Sequence, residues 1–445
     1  MTSVHRLLDS SGEARIHLTP PGRPAWRRTR AIDLPSKIGA FRLLEVLGRG
    51  GMGTVYLAQQ TGPIRRRVAL KRVNSDHLDA ETIERFYHER QALARMSHPN
   101  IAQVFEAGST EDGSPYVVME LVQGVPLTEY CDLHQLPIPD RLALFLTVCR
   151  GVQHAHQKSI VHRDLKPSNI LVTEVEGRPH PKIIDFGIAK RLDPSQDWSD
   201  HVDHDRMLGT PAYLSPEAIR LDGKAIDIDT RTDVYALGVL LYEILTGVVP
   251  FVRGPDEPLV KLFQRIVEEP PRPPSICVKN LPEVRRKLIP RRRKTSTAAL
   301  RKDLTGDLNW IVQKALAKAP DERYPSANAL AADVERHLQH EPVSAAPSRL
   351  GYRLLKLIRR RRTTLLVGIL LVVALLAAHM ARTIESQRAQ HTNLTIKQVA
   401  ANLENFAIRL EKEGRHADAA RIHDEVRALR REVFVDEKTA QRATD

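Results

Sequence analysis

The chain has 445 residues, enough for two or three domains, with 67 Lys and Arg against 54 Asp and Glu and a formal net charge of +13. Its three cysteines, Cys131, Cys149 and Cys277, have no metal-ligand spacing and exclude a disulfide scaffold, so they are expected to be buried thiols in a reducing compartment. Much of the basic surplus sits in Arg285-Arg286-Lys287, Arg291-Arg292-Arg293-Lys294 and a third cluster ending at Arg362. The charge is therefore local, and no nucleic-acid partner is expected. Residues 1–38 mix Pro, Arg and Ser without periodicity and hold no long apolar run, which predicts a disordered segment and no cleaved signal peptide.

From Phe41 to Leu47 the chain is largely apolar, and Gly48-Arg49-Gly50-Gly51-Met52-Gly53-Thr54-Val55 follows, a strand, turn and strand in which backbone without Cβ atoms can approach phosphates closely. A dinucleotide-binding turn would open a helix at its last glycine. Here Thr54-Val55-Tyr56-Leu57 continues as β structure. Val68-Ala69-Leu70-Lys71 is a short apolar strand ending in a point charge suited to phosphate oxygens. Ala80 to Met96 carries Ile83, Phe86, Tyr87, Leu93 and Met96 mostly at helical spacing, with Glu84 and Glu89 both able to position that lysine. A second apolar strand, Tyr116 to Val122, runs into Gly124. Next comes His162-Arg163-Asp164-Leu165-Lys166-Pro167-Ser168-Asn169, and sixteen residues after Asn169 stands Asp185-Phe186-Gly187. Asp164 can take a proton from a hydroxyl, while Asn169 and Asp185 can hold a divalent cation against nucleotide phosphates, the parts that phosphoryl transfer requires.

These motifs, in this order over roughly residues 40–340, resemble the eukaryotic-like (Hanks-type) Ser/Thr protein kinases of bacteria that carry a single transmembrane span. The resemblance implies an α+β, bilobal protein-kinase fold with a β-rich N-lobe and helical C-lobe, ATP with Mg²⁺ or Mn²⁺, and protein substrates. It selects Glu89 as the partner of Lys71. It places Leu47, Gly48, Arg49, Gly50, Gly51, Met52, Gly53 and Lys71 around the nucleotide. Adenine would meet the backbone at Glu120 and Val122 beside Met119, between Val55 and Ala69 above and Leu171 below. Lys166, with Gly209-Thr210-Pro211-Ala212-Tyr213, resembles the Ser/Thr pattern rather than the Tyr pattern. Lys166 is thereby assigned to the transferring phosphoryl. Ser215-Pro216-Glu217 stands where the family has Ala-Pro-Glu, and Glu217 is expected to pair with Arg323 while Asp233 holds the catalytic-loop backbone. In one respect the chain departs from the pattern. Arg163 calls for a phosphorylated partner, yet residues 200–208 hold no hydroxyl, so either Ser199 is the switch or a carboxylate such as Asp203 or Asp205 stands in for phosphate.

The segment from Lys279 to Lys302 looks like an insertion and is expected as a solvated basic loop, with docking of acidic partners or lipid headgroups as the alternative. The kinase domain is expected over 39–340, followed by a basic juxtamembrane linker over 341–362 punctuated by Pro342 and Pro347. Residues 363–381 are nineteen positions rich in Leu, Val, Ile and Ala, roughly 28 Å as a helix and long enough for a bilayer. Arg359 to Arg362 directly before them favour a span over a buried soluble helix. They set the kinase on the cytoplasmic side of the cell (inner) membrane, with residues 382–445 outside. There, 402–433 reads as a helical hairpin turning at Gly414, similar to one tetratricopeptide unit or a plain amphipathic segment. A lone unit is expected to be disordered, to pair with a second copy as a homodimer, or to dock on a partner. A pseudokinase scaffold and a receptor acting through this tail are the rival functions.

Overall fold

The computed structural model describes residues 4–5, 17–18, 37–50, 53–63, 65–73, 96–186, 211–219, 229–347, 351–352, 356 and 362–442. They fall into two compact units that divide after Lys356. In the first, a two-residue strand pair, β1 (Val4–His5) with β2 (His17–Leu18), precedes a six-stranded antiparallel sheet. Its strands are β3 (Lys37–Ile38), β4 (Phe41–Gly50), β5 (Gly53–Gln60), β6 (Arg67–Val73), β7 (Val104–Ser109) and β8 (Pro115–Glu120), in the order β3-β4-β5-β6-β8-β7. Phe41, Leu43, Tyr56, Ala58, Val68, Leu70 and Val118 form the core of one face. Ala69, Val73, Val117 and Met119 cluster on the other, with Leu47 and Val55 against them. Alternation thus sends successive side chains to two different cores, the second of which faces the cleft. Ile38 is buried, so the folded domain begins slightly before the boundary expected at residue 39.

The helical lobe is built around α3 (Thr230–Thr246), a helix buried on almost every side, which is why its sequence reads apolar all round. Asp229 caps its N-terminus by accepting from the Arg231 N–H, and Gly247, at φ 74, ends it in the left-handed conformation that glycine adopts without strain. Packed about it are α1 (Leu127–Leu133), α2 (Ile138–Gln157), α8 (Asp307–Ala315) and α9 (Ala327–Leu338). Between the lobes a three-stranded sheet, β11-β10-β9, is made of β9 (Val125–Pro126), β10 (Ile170–Val175) and β11 (Arg178–Ile183). Cys131 and Cys149 are buried thiols, and burial pushes the Cys131 thiol up to about 11, whereas Cys277 is only partly buried.

Two sequence expectations change. The basic segment is not a solvated loop but a run of helices: α5 (Pro274–Lys279), α6 (Glu283–Arg291) and α7 (Thr297–Leu304), after α4 (Leu259–Glu268). Arg293 is buried and donates to the carbonyls of Leu245 (2.7 Å) and Ile244 (2.7 Å), acceptors left over at the C-terminus of α3, and to that of Ile289 in α6 (3.1 Å). Arg292 reaches Asp132 at 2.7 Å, and buried Arg141 donates to the Arg292 carbonyl at 2.8 Å. Nor is the chain after residue 340 a free linker. Asp333 accepts from the Ser344 N–H and Oγ (2.8 Å each) and from the Ala345 N–H (2.9 Å). Asp307 accepts from Tyr352 Oη (2.8 Å), from His337 Nδ1 (2.9 Å) and from Lys356 Nζ. Burial alone would raise the Asp307 carboxyl, but these donors hold it down at about 2.

The second unit is two helices, α10 (Arg362–Lys412) and α11 (His416–Arg442), joined at Gly414. The helix from Leu366 has an apolar stretch long enough to cross a membrane by length and composition, with none of it buried in the protein. The hairpin's first arm does not start afresh near residue 402. It continues from the apolar stretch as one 51-residue helix, about 76 Å long at 1.5 Å per residue. Ala400, Ala407, Leu410, Ala419 and Val426 are buried between the arms, while Phe406 is 52% exposed.

Candidate active site

The floor of the cleft is fixed by Asp233, in the first turn of α3 and without solvent exposure. Its carboxylate accepts from the backbone N–H of His162 (2.7 Å) and of Arg163 (2.9 Å) and meets His156 Nε2 at 2.8 Å. Burial would raise its pKa, yet the His156 bond, the neighbouring imidazoles and the backbone donor hold it below the usual carboxylate value. Arg163 sits at φ 65, in the left-handed region, so the loop reverses sharply there and relies on these bonds to stay so. His162 was part of the sequence motif but had no assigned role. Its Nδ1 accepts the Asp164 N–H (3.2 Å), its Nε2 donates to the Ile184 carbonyl (3.2 Å), and its ring lies 4.6 Å from that of Phe186. Burial lowers its pKa, which suits a neutral imidazole tying the two loops together.

On this floor the predicted site residues converge. Lys166 Nζ is 2.8 Å from Asp164 Oδ2, and Asn169 Nδ2 donates to the same oxygen (3.0 Å) and to the Asp164 carbonyl (2.8 Å). A 3₁₀ turn over Pro167–Asn169 brings Asn169 back toward the aspartate. Antiparallel β10 and β11 then return the chain, and the Ile184 N–H donates to the Asn169 carbonyl at 2.8 Å, setting Asp185 beside it. Asp185 is also left-handed, at φ 57. Across the cleft, Lys71 in β6 places Nζ at 2.5 and 2.7 Å from the two Asp185 oxygens, joining the lobes through one part-buried ion pair.

Above this group, β4 and β5 form the glycine hairpin, with Gly50 opposite Gly53. A Cβ at Gly53, whose φ is 139, would fall 2.1 Å from the Arg72 carbonyl, so no other residue fits there. Val55, Ala69 and Met119 share the cleft-side apolar cluster with Leu47. Leu171 pairs with Pro126 in the sheet between the lobes. Lys182 holds the Glu120 carboxylate at 2.5 and 2.7 Å, fixing the connection between the lobes by a contact that no motif announced. Deeper in the helical lobe, Arg323 makes a two-pronged pair with Glu217 (2.7 and 2.6 Å), to which Thr232 adds a third bond at 2.8 Å. Gly51, Met52, Glu84, Glu89, Gly187, Ser199, Asp203, Asp205 and Thr210 lie outside the described residues.

A β-sheet lobe with a glycine hairpin, a helical lobe, and a carboxylate, amide and lysine group between them define the fold and site of a protein kinase. The protein kinase domain family matches residues 41–334, more than half of the chain, and the chain belongs to that family. It is similar to a probable serine/threonine-protein kinase of Streptomyces coelicolor, 34% identical over 320 residues, which are 71% of this chain and 42% of that protein. It is also similar to serine/threonine-protein kinase PknB of Mycobacterium tuberculosis (35% over 310 residues; 68% and 44%) and to Pkn1 of Myxococcus xanthus (35% over 319 residues; 71% and 41%). The chain thus spans less than half the length of these curated relatives. Among solved structures it is similar to the Mycobacterium tuberculosis PknI kinase domain, with 25% identity and a TM-score of 0.48 over 69% of this chain and 99% of that one.

Proposed function

We propose that the chain is a Ser/Thr protein kinase that transfers the γ-phosphoryl group of ATP to hydroxyls of proteins, itself included, from a membrane-anchored position. The observation that carries this reading is the convergence of Asp164, Lys166, Asn169, Asp185 and Lys71 on one cleft. Asp164 accepts the proton of the attacking hydroxyl, and Lys166, already against its carboxylate, offsets charge on the phosphoryl in transit. Lys71 neutralises the inner phosphates, with Glu89 as the expected second partner of its ammonium. The donors suit a hard divalent cation: a carboxylate at Asp185, and at Asn169 an amide whose nitrogen is committed to Asp164, leaving its oxygen as the ligand atom. Mg²⁺ or Mn²⁺, when bound, supplies charge neutralisation at the phosphates. Adenine would lie against Val55, Ala69, Met119 and Leu171, with its edge at the backbone of Glu120 and Val122. Arg163 is the expected receiver of an activation-loop anion, from phosphorylated Ser199 or from a nearby carboxylate, with Thr210 in the substrate-side turn. Membrane anchoring is supported by residues 363–381 within α10, and the arginines before them favour a cytoplasmic kinase domain.

The purified 445-residue chain in lipid nanodiscs, given labelled ATP, Mg²⁺ and generic protein acceptors, should incorporate phosphate on Ser and Thr. The Lys71→Met variant should not. Incorporation equal in both, or confined to Tyr, overturns the catalytic reading. Release of the chain from cell membranes by alkaline carbonate overturns the anchoring.

A further inference from the structure

The inserted helix α6 is held at a fixed angle by residues that a merely solvated basic segment would not need: Ile289 and Pro290 are buried, and Arg293 is buried against three backbone carbonyls. With 100° between successive helical positions, burial of Ile289 and Pro290 turns Val284, Lys287, Leu288 and Arg291 outward. All four are exposed, Val284 at 78% and Leu288 at 40%. The outer face therefore pairs two aliphatic side chains with two cations, and exposed Arg285 stands at its edge, while exposed Arg286 lies on the opposite side of the helix. Glu283, paired to Lys287 at 2.7 Å, is the acidic residue of the helix. Aliphatic residues flanked by Lys and Arg on a helix face suit the interface of an anionic bilayer, where the apolar groups enter the headgroup boundary and the cations meet phosphates. An acidic protein groove would satisfy the charges but gives no reason for Val284 to protrude.

We propose that α6 lies on the anionic phospholipid surface of the membrane, giving the catalytic domain a second, peripheral attachment. This rests on the anchoring reading above. The test uses the 445-residue chain in nanodiscs of phosphatidylcholine alone or mixed with phosphatidylglycerol, with hydrogen–deuterium exchange read over residues 283–292. Phosphatidylglycerol should slow exchange there by about ten-fold, an effect that added salt weakens. Both Lys287→Glu/Arg291→Glu and Val284→Ser/Leu288→Ser should lose the slowing at unchanged melting temperature, since all four side chains are on the surface. Equal exchange in the two lipids overturns the proposal, as does slowing produced by soluble polyglutamate and not by phosphatidylglycerol. Co-purification of the chain with nanodiscs reads the anchoring separately. Should that fail, flotation of the same chain with phosphatidylglycerol vesicles, lost in Lys287→Glu/Arg291→Glu, still decides for or against α6.

Discussion

In the helical lobe, Asp233 at the floor of the cleft and Arg323 deeper in have almost no exposure, and each holds several backbone or side-chain groups at once. Between α10 and α11 the buried positions among the described residues are three alanines with Leu410 and Val426, and the cross-arm ion pair of Arg430 with Glu404 stands at the surface. Both regions join distant stretches of chain. In the first, charged groups are desolvated and fully hydrogen-bonded, so geometry is enforced and loss of one partner strands the other. In the second, close approach of small side chains does the holding, and the charges contribute little because water screens them. A site that must present a carboxylate and a lysine to within tenths of an ångström is built the first way.

The largest expected effect is catalytic and confined to the first region. Asp164→Asn should lower phosphate incorporation about 100- to 10,000-fold with little change in melting temperature, because it removes a proton acceptor and keeps the shape. Nucleotide affinity measured by titration calorimetry should stay close to that of the native chain. Next in size, Arg323→Ala leaves the Glu217 carboxylate buried without its main partner and should cost about 3 to 5 kcal/mol in urea unfolding. A loss below about 1 kcal/mol would place this pair in the same class as the exposed ones.

Acid should separate the regions further. His162 has a lowered pKa, mainly through burial, so as pH falls below 6.5 the unfolded chain takes up a proton that the folded chain refuses, and stability drops. Asp307 contributes stability that is complete above 3.8 and is lost as pH falls toward about 2. Melting followed by fluorescence of the catalytic domain should therefore decline from pH 6.5 downward and again below 3.8. His162→Gln should flatten the first step. The smallest effects belong to the hairpin, where Arg430→Ala should cost less than about 1 kcal/mol and Phe406→Ala should fall within about 0.5 kcal/mol by circular dichroism. A larger loss at Phe406 that depends on protein concentration would mean that a second copy covers it.

The cleft was legible because its chemistry is local: eight consecutive residues from His162 to Asn169 carry the aspartate, lysine and amide that meet there, and Asp185 follows at a short hairpin's length. The basic insertion was not legible in the same way. Whether an arginine is buried depends on acceptors elsewhere, and two of the three that hold Arg293 are carbonyls of Ile244 and Leu245 in another helix. Pro342 and Pro347 suggested a linker, yet Asp333 and Asp307, both acidic residues that could as well have been on the surface, bind the chain beyond them. The glutamate Glu120 gave no sign of its tie to Lys182, since the strand pattern marked only its backbone and Lys182 belongs to no motif.

The length of α10 has a mechanical consequence. No proline, and no glycine after Gly368, interrupts the rod up to Lys412, so displacement or torque applied at its far end travels along the axis instead of being absorbed by a slack tether. Whatever grips the hairpin therefore has a stiff lever on the other end of the helix.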